Sequence, residues 1–184
     1  MNLYVGAGRW TGGTQGGAFR QRGGAGQWEQ LGNGLPDAIQ VHAITVHPRD
    51  AKVVYLAADS GLYVSRDAGE RWSRLAVPHD RQIWSIAVHP TDRRRLYAGT
   101  SPVGVLRSDD GGETWRDLPN SHLPARVKMA FACRVMRIAI EPAHPEHVYA
   151  ALEVGGVMRS LDGGETWADC AADLVRLAEQ NPQL

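Results

Sequence analysis

The sequence predicts an all-β fold assembled from repeated four-stranded sheets, and three observations lead to this prediction. A Ser-x-Asp-x-Gly-x-x-Trp octapeptide occurs three times and ends at Trp72, Trp115 and Trp167. The segments upstream of the octapeptides also repeat, and a period of roughly 40–50 residues indicates stacked supersecondary units. The 21 Gly and 6 Trp residues, with only 2 Phe, favour tight turns and short strands over helices.

Each repeat divides into four strand-like segments. In the first complete repeat, HAITVHP at 42–48 alternates apolar and polar residues and ends in a Pro-bearing turn. VVYLAA at 53–58 and GLYVS at 61–65 then form the second and third strands. The octapeptide SRDAGERW at 65–72 forms a hairpin that leads into the fourth strand.

The octapeptide has the composition of a turn that carries an anchor. Its Asp can accept backbone N–H bonds within the turn, and its Gly permits a positive φ. Its Trp can bury roughly 150–250 Å² between neighbouring sheets. We therefore assign a structural role to the repeated positions Ser65, Asp67, Gly69, Trp72, Ser108, Asp110, Gly112, Trp115, Ser160, Asp162, Gly164 and Trp167.

Four-stranded units repeated around an axis form a β-propeller. We predict a partial β-propeller over 1–168, with blades around 3–31, 41–75, 83–118 and 135–168, and a short helical tail over 169–184. The first blade has a longer insertion and lacks its first strand. About four blades make an incomplete ring, and three alternatives stay open: a truncated or split propeller, closure by self-association, or a small four-bladed ring.

The octapeptides resemble Asp-boxes, also called BNR repeats. These repeats occur in sialidases, sortilin-type receptor domains, photosystem II assembly factors and xyloglucan-active glycosidases. The resemblance covers about residues 3–167 and is strongest to sialidase-like and glycosyl-hydrolase-like BNR proteins. It implies a propeller, but the proteins that share it include enzymes, receptors and assembly factors, so it does not select one function.

One axial face of the predicted propeller collects the candidate binding residues. The start of each first strand and the end of each second strand lie on this face, where carbohydrate-active propellers place their sites. Aromatic rings, carboxylates and arginines at these positions suit a sugar or a polar peptide. We therefore predict a protein or carbohydrate ligand bound by Arg9, Trp10, His42, Asp59, Trp84, Arg134 and Glu153.

Two carboxylates are candidates for catalysis, without a confident assignment. VHPRDAKVVYLAADSG at 46–61 resembles the first blade of xyloglucan-active glycosidases and places Asp59 on the position of their catalytic base. Glu153 is the only in-register partner acid, and the Arg-Ile-Pro signature of sialidases is absent. We therefore expect a ligand-binding or assembly module. A glycoside hydrolase-like enzyme, or a fragment of one, is the less favoured alternative.

Composition and simple motifs bear on the remaining questions of nucleic-acid binding, location, cofactors and metals. The formal net charge is zero, which gives no indication of binding to nucleic acid or an anionic membrane. We see neither a signal peptide nor an apolar run of 18 residues, and we expect a cytoplasmic protein without a cofactor. His47, His89 and His144 are interpreted as turn residues, and no Cys or His pair has zinc-site spacing, so we expect no metal site.

Overall fold

The computed structural model describes residues 2–8, 16–24, 26–78, 81–122, 124, 129–173, 176 and 180. These residues form one three-stranded and three four-stranded antiparallel sheets, and the strands of each sheet follow one another in chain order. The predicted all-β fold of propeller blades is confirmed. The described blades form an open arc, so they do not make the small closed ring that was one alternative.

The sheets are numbered as blades 1 to 4 in chain order. Blade 1 contains β1 (Asn2–Ala7), β2 (Gly17–Arg22) and β3 (Trp28–Leu31), and blade 2 contains β4 (Val41–His47), β5 (Asp50–Ala58), β6 (Gly61–Ser65) and β7 (Ser73–Arg74). Blade 3 contains β8 (Gln82–Val88), β9 (Leu96–Ser101), β10 (Val105–Ser108) and β11 (Arg116–Asp117). Blade 4 contains β12 (Val135–Ile140), β13 (Val148–Leu152), β14 (Val157–Ser160) and β15 (Ala168–Asp169). Among the described residues, blade 1 has no counterpart of β4, β8 and β12.

The hydrophobic core is divided among the three interfaces between blades. Successive side chains of a strand point to opposite faces, so β5 packs Val54 and Leu56 toward blade 1 and Tyr55 and Ala57 toward blade 3. These side chains are at most 2% exposed. Both faces of a central blade are therefore buried, which explains why its second strand is a continuous apolar run.

Each octapeptide folds into the same hydrogen-bonded turn. In blade 4 the Ser160 hydroxyl donates to Asp162 Oδ1 at 2.7 Å and accepts the Gly164 N–H at 2.7 Å. Asp162 also accepts the Thr166 N–H at 2.9 Å and the Thr166 hydroxyl at 2.6 Å. Gly164 has a φ of +99°, and a Cβ there would overlap Leu118 of blade 3. The turn thus requires Gly for both its conformation and its close approach to the previous blade.

The donors around the octapeptide carboxylates stabilise their ionised form. The Thr166 hydroxyl and N–H, with the Ser160 hydroxyl, lower the pKa of Asp162 to about 2. The equivalent donors around Asp110 lower its pKa as well, with the Thr114 hydroxyl as the main cause. In blade 2 an Arg replaces this Thr, and the pKa of Asp67 is lowered chiefly by the Arg71 N–H.

The C-terminal tail is described in part. Residues 172, 173, 176 and 180 have helical backbone, and the rest of 174–184 lies outside the described residues, so the helical tail stays a prediction. No helix in the described part of the chain is long and apolar enough to cross a membrane.

Candidate functional site

A β-bulge at the start of the first strand creates the candidate site in each complete blade. In blade 2 the pairing passes from Val41–Ala58 to Ala43–Ala57, which leaves His42 without a partner across the sheet. The register shifts in the same way around Trp84 in blade 3 and Met136 in blade 4. Since a bulge redirects the extra side chain, three blades present His, Trp and Met at one structural position.

A row of stacked side chains, here termed the axial ladder, joins three blades through His42, Trp84, Arg134 and Glu153. The imidazole of His42 stacks on the Trp84 indole, with ring centroids 3.8 Å apart and planes 6° from parallel. The Arg134 guanidinium carbon lies 3.9 Å from the Trp84 ring centroid. Arg134 Nε in turn donates to Glu153 Oε2 at 2.8 Å. The indole is therefore covered from both neighbouring blades, because β4 and β12 flank β8.

Hydrogen bonds hold the rings of the ladder in place. His42 Nδ1 lies 2.8 Å from the Ile83 carbonyl oxygen, so this nitrogen donates and Nε2 carries the lone pair when the ring is neutral. The Arg134 carbonyl accepts the Glu153 N–H at 2.9 Å, which fixes the two ends of the ion pair. Trp84 Nε1 is buried and has no hydrogen-bond partner among the described residues.

The charged end of the ladder belongs to blade 4 alone. The positions of Arg134 and Glu153 are occupied by Gln40 and Asp59 in blade 2, which share the same backbone bond between strand start and strand end. In blade 3 they are occupied by Gln82 and Ser101, which pair directly across the sheet. The side chains of Arg134 and Glu153 are both slightly under one-third exposed. Blade 4 therefore places a partly desolvated ion pair where blade 3 has neutral side chains.

A groove of about 480 Å³ continues from the ladder along the first strands. It runs over β4, β8 and β12, each of which is an edge strand of its sheet. Its polar lining includes Thr45, whose hydroxyl donates to the Ile86 carbonyl at 3.0 Å, and Ser85, whose hydroxyl donates to the Val135 carbonyl at 3.0 Å. These bonds cross from blade to blade and keep the three first strands at fixed spacing.

Asp59 lies apart from the ladder. It lines a second pocket of about 380 Å³ with Arg74, Arg81 and Gln82. Its Oδ1 accepts the N–H groups of Ser60 at 2.9 Å and Gln40 at 3.1 Å, so the carboxylate closes its own turn. The structure thus brings together His42, Trp84, Arg134 and Glu153 and places Asp59 in a different pocket. Arg9 and Trp10 lie outside the described residues.

The two candidate carboxylates, Asp59 and Glu153, have separate partners. Hydrolysis needs two carboxyl groups that face one scissile bond, one of them able to donate a proton. Here Glu153 is bound to Arg134, and Asp59 is bound to backbone donors in another pocket. The sequence identified Asp59 and Glu153 by their place at the ends of second strands, but it missed the bulge and the groove. One signal in the sequence could have revealed the bulge and the groove. The same repeat position holds a different residue type in each blade: His42, Trp84 and Met136.

The structure also answers whether a metal could be held near the ladder. Among the described residues, the one group of three or more close His, Cys, Asp or Glu side chains is His144, Glu146 and His147. That group lies in the turn between β12 and β13, at the end of blade 4 remote from the ladder.

Comparison with known proteins agrees with the repeat and the fold. The BNR/Asp-box repeat family matches residues 106–117. The chain is 25% identical over 172 residues to an oligoxyloglucan-reducing end-specific xyloglucanase of Emericella nidulans, covering 83% of this chain and 21% of that enzyme. It spans about a fifth of the length of the curated xyloglucanases it matches first.

Solved structures with the same fold include an enzyme and a peptide-bound protein. A xyloglucanase of glycoside hydrolase family 74 from Xanthomonas campestris superposes with a TM-score of 0.70 at 23% identity, covering 92% of this chain and 28% of the enzyme. YCF48 bound to the D1 peptide superposes with a TM-score of 0.54 at 20% identity, covering 73% of this chain and 40% of YCF48. At these identities the likeness establishes the fold alone. The chain therefore contains an Asp-box repeat and has the blades of a β-propeller.

Proposed function

We propose that this chain is a ligand-binding module whose axial ladder and groove recognise a charged segment of a polypeptide, and that it is not a catalyst by itself. The axial ladder carries the proposal. It spans three blades, and it presents an arginine and a carboxylate side by side.

The chemistry of the ladder favours a charged ligand over a neutral sugar. A sugar ring binds best to a free aromatic face, but His42 and Arg134 already contact the Trp84 ring. The groups left to meet a ligand are the edge of the His42 ring, the guanidinium of Arg134 and the carboxylate of Glu153. Charge-assisted hydrogen bonds to such groups are roughly twice as strong as neutral ones. A peptide with acidic and basic side chains can form them at both ends of the ion pair.

Two relatives support parts of this proposal. YCF48, whose structure was solved with a D1 peptide bound, has the same fold, so blades of this kind can serve peptide recognition. The family 74 xyloglucanases show that blades of this kind also serve carbohydrate substrates. The occupied aromatic face of this chain is the observation that favours the peptide.

The test measures binding of the chain to a peptide array and to a glycan array. We expect peptide signals that fall at least about tenfold in Arg134→Ala and Glu153→Ala, since truncating one partner of such a pair costs about 2 kcal/mol or more. Arg116→Ala is the matched control, because it also breaks an Arg–Glu pair, with Glu165, but on the octapeptide turns. If the unmodified chain binds glycans and no peptides, and Arg134→Ala loses the glycan binding, the ligand is a sugar and not a peptide. An equal loss of peptide binding in Arg116→Ala would show that the ladder is not the binding site.

A glycoside hydrolase is the second candidate, favoured by the similarity to xyloglucanases over most of the chain. Under this alternative Asp59 acts as a base and the partner carboxylate comes from outside the described residues. Release of reducing sugar from xyloglucan oligosaccharides, abolished by Asp59→Asn, would establish it. Sialidase activity has less support, since the sequence lacks the arginine signature.

We also propose that the open ends of the arc join further blades. Leu3, Val5 and Trp28 on blade 1 are 38%, 46% and 46% exposed, although they occupy positions that are buried in blade 2. A partner blade could come from more of the same polypeptide, from another chain or from a second copy. Light scattering on the purified chain distinguishes the last alternative, since only a second copy doubles the mass. A cytoplasmic location remains part of this proposal.

A further inference from the structure

The turn between β12 and β13 collects three side chains that ligate metals. Its sequence is EPAHPEH at 141–147. One ligand atom from each of His144, Glu146 and His147 lies within 4.8 Å of the other two. All three side chains reach solvent, with exposed fractions of 58%, 50% and 25%, so an ion has a free path to them.

The spacing of these atoms is close to that of a tetrahedral site. Zinc binds imidazole nitrogen and carboxylate oxygen at about 2.0–2.2 Å, which places two ligand atoms of a tetrahedron about 3.4 Å apart. Here His144 Nδ1 lies 3.4 Å and His147 Nε2 lies 3.7 Å from the same oxygen, Glu146 Oε1. Two edges of the ligand triangle therefore need almost no movement to accept an ion.

A fourth residue orients one of the ligands. His147 Nδ1 lies 2.9 Å from Glu141 Oε2, so Nδ1–H donates to the carboxylate and the lone pair of the neutral ring is on Nε2. Nε2 is the nitrogen that faces Glu146. A carboxylate behind a ligating histidine is the usual support of a metal site, because it fixes the tautomer and strengthens the ligand.

The backbone of the turn is held firmly. The Glu146 carbonyl accepts the Gly163 N–H of the octapeptide turn at 2.8 Å, and the His147 N–H donates to the His144 carbonyl at 2.8 Å. The equivalent bond in blade 3 joins the Arg94 carbonyl to the Gly111 N–H at 2.8 Å. Each ligand is thus mounted on a rigid turn that the other blades also contain.

Only the side chains distinguish blade 4 from blade 3 in this turn. Blade 3 has Asp92, Arg94 and Arg95 at the positions of His144, Glu146 and His147. Arg95 pairs with Asp109 at 2.6 Å, and arginine offers no lone pair to an ion. Blade 3 is therefore a control for blade 4 within the same molecule.

We propose that His144, Glu146 and His147 form a binding site for a divalent transition-metal ion of the zinc type, with water in the fourth position and Glu141 as the positioning residue of His147. Two imidazoles and one carboxylate are ligands that suit Zn²⁺. This proposal departs from the expectation of no metal site, because the His-Pro-Glu-His order does not have the spacing of a zinc finger. The turn conformation, rather than the spacing, brings the ligands together.

The experiment is calorimetric titration of the untagged chain with ZnCl₂ at pH 7.5. We expect one Zn²⁺ per chain, and loss of that binding in the double variant His144→Ala/His147→Ala. Glu141→Gln should weaken it by 10–100-fold, the usual effect of removing a ligand's support. Asp92→Ala, in the turn of blade 3, should leave it unchanged. Circular dichroism of every variant confirms that the fold is retained.

Two further measurements decide the coordination. Substitution with Co²⁺ should give the intense visible absorption of a four-coordinate ion, and this absorption should disappear in the double variant. Zinc affinity should be lower in acidic buffer than at pH 7.5, because protonated imidazole does not bind metal. Absence of saturable binding by the folded chain would overturn the proposal. Binding by the double variant equal to that of the unmodified chain would overturn it as well.

Discussion

The faces between blades and the faces at the two ends of the arc use equivalent residues in opposite states. Val54, Leu56 and Trp72 of blade 2 are 0%, 0% and 3% exposed because they pack on blade 1. The matching side chains of blade 1, Leu3, Val5 and Trp28, are among the most exposed large apolar residues of the described chain. The same apolar face of a blade is thus buried in blade 2, where it packs on blade 1, and exposed in blade 1.

The polar contacts show the same difference. Tyr97 of blade 3 is fully buried, and its hydroxyl donates to the Gly163 carbonyl of blade 4 at 3.0 Å. Tyr149, its equivalent in blade 4, is half-buried, and its hydroxyl has no hydrogen bond to any described residue. Arg107 of blade 3 reaches the same Gly163 carbonyl, whereas Arg159 of blade 4 has a buried Nε without a partner among the described residues. Position in the arc, rather than residue type, decides what each contact contributes to stability.

The largest expected effect tests the apolar part of this comparison. Trp72→Ala should lower the free energy of unfolding by about 3–5 kcal/mol, because a large buried ring is lost and a cavity remains. Trp28→Ala at the equivalent position should lower it by less than about 1 kcal/mol, since Trp28 is already half exposed. Urea denaturation followed by far-ultraviolet circular dichroism measures both. Similar losses in the two variants would contradict the comparison.

The next effect concerns the arginines of the third strands. Arg20 is 1% exposed and bridges blades 1 and 2, with Nε 2.5 Å from Glu29 and Nη2 2.8 Å from Glu70. Arg20→Met should destabilise the chain by about 1–3 kcal/mol through the loss of charged hydrogen bonds. Arg159→Met should be neutral or slightly stabilising, because it removes an unsatisfied buried nitrogen. Denaturant midpoints measure the pair, and a large loss in Arg159→Met would show that its guanidinium has a partner.

A smaller effect is expected for the tyrosine hydroxyls. Tyr97→Phe removes a buried hydrogen bond and should cost about 0.5–1.5 kcal/mol. Tyr149→Phe should change stability by no more than about 0.3 kcal/mol, since its hydroxyl bonds to none of the described residues. Thermal unfolding at pH 7 resolves the difference. If a further blade or a second copy covers blade 4 under the assay conditions, the Tyr149 variant becomes as costly as the Tyr97 variant.

The smallest effect is one that should not depend on position in the arc. The octapeptide turn is internal to its blade, so Asp110 in blade 3 and Asp162 in blade 4 should respond alike. The pKa of Asp162 is about 2 in the folded chain, below about 3.9 in the unfolded chain. Its stabilisation is therefore complete above about pH 4 and is lost as the pH falls toward 2.

Thermal melts at pH 5, 4, 3 and 2 measure this dependence. The melting temperature should fall less steeply with decreasing pH in Asp162→Asn and in Asp110→Asn than in the unmodified chain. Asp37→Asn, at an exposed position, should leave the slope unchanged. Different responses of the two octapeptide variants would mean that the turn is coupled to the interface.

The fold could be predicted from the sequence because its information repeats. Three octapeptides and three aligned upstream segments determined the strand count and the turn positions. The start of each first strand led to His42 and Trp84, and the end of a second strand led to Glu153. Each of these inferences uses a spacing along the chain within one blade, so it does not require knowing how the blades pack together.

The site could be predicted only in part, because its geometry depends on how blades meet. Nothing in the sequence indicates that the Trp84 ring is covered by His42 and Arg134. The sequence also placed Asp59 with the other site residues, whereas backbone donors hold its carboxylate in a separate pocket. The side chains of His144 and His147 meet through the conformation of one turn, which spacing does not reveal.

The β-bulge at the start of each first strand has a consequence for how such a protein can change over evolutionary time. Its extra residue has no partner across the sheet, so the strand register does not depend on which side chain stands there. Blades 2, 3 and 4 already hold His, Trp and Met there without a change in the surrounding pairing. Gene duplication can therefore multiply the blade while mutation diversifies this one position, and new specificities can arise on an unaltered scaffold.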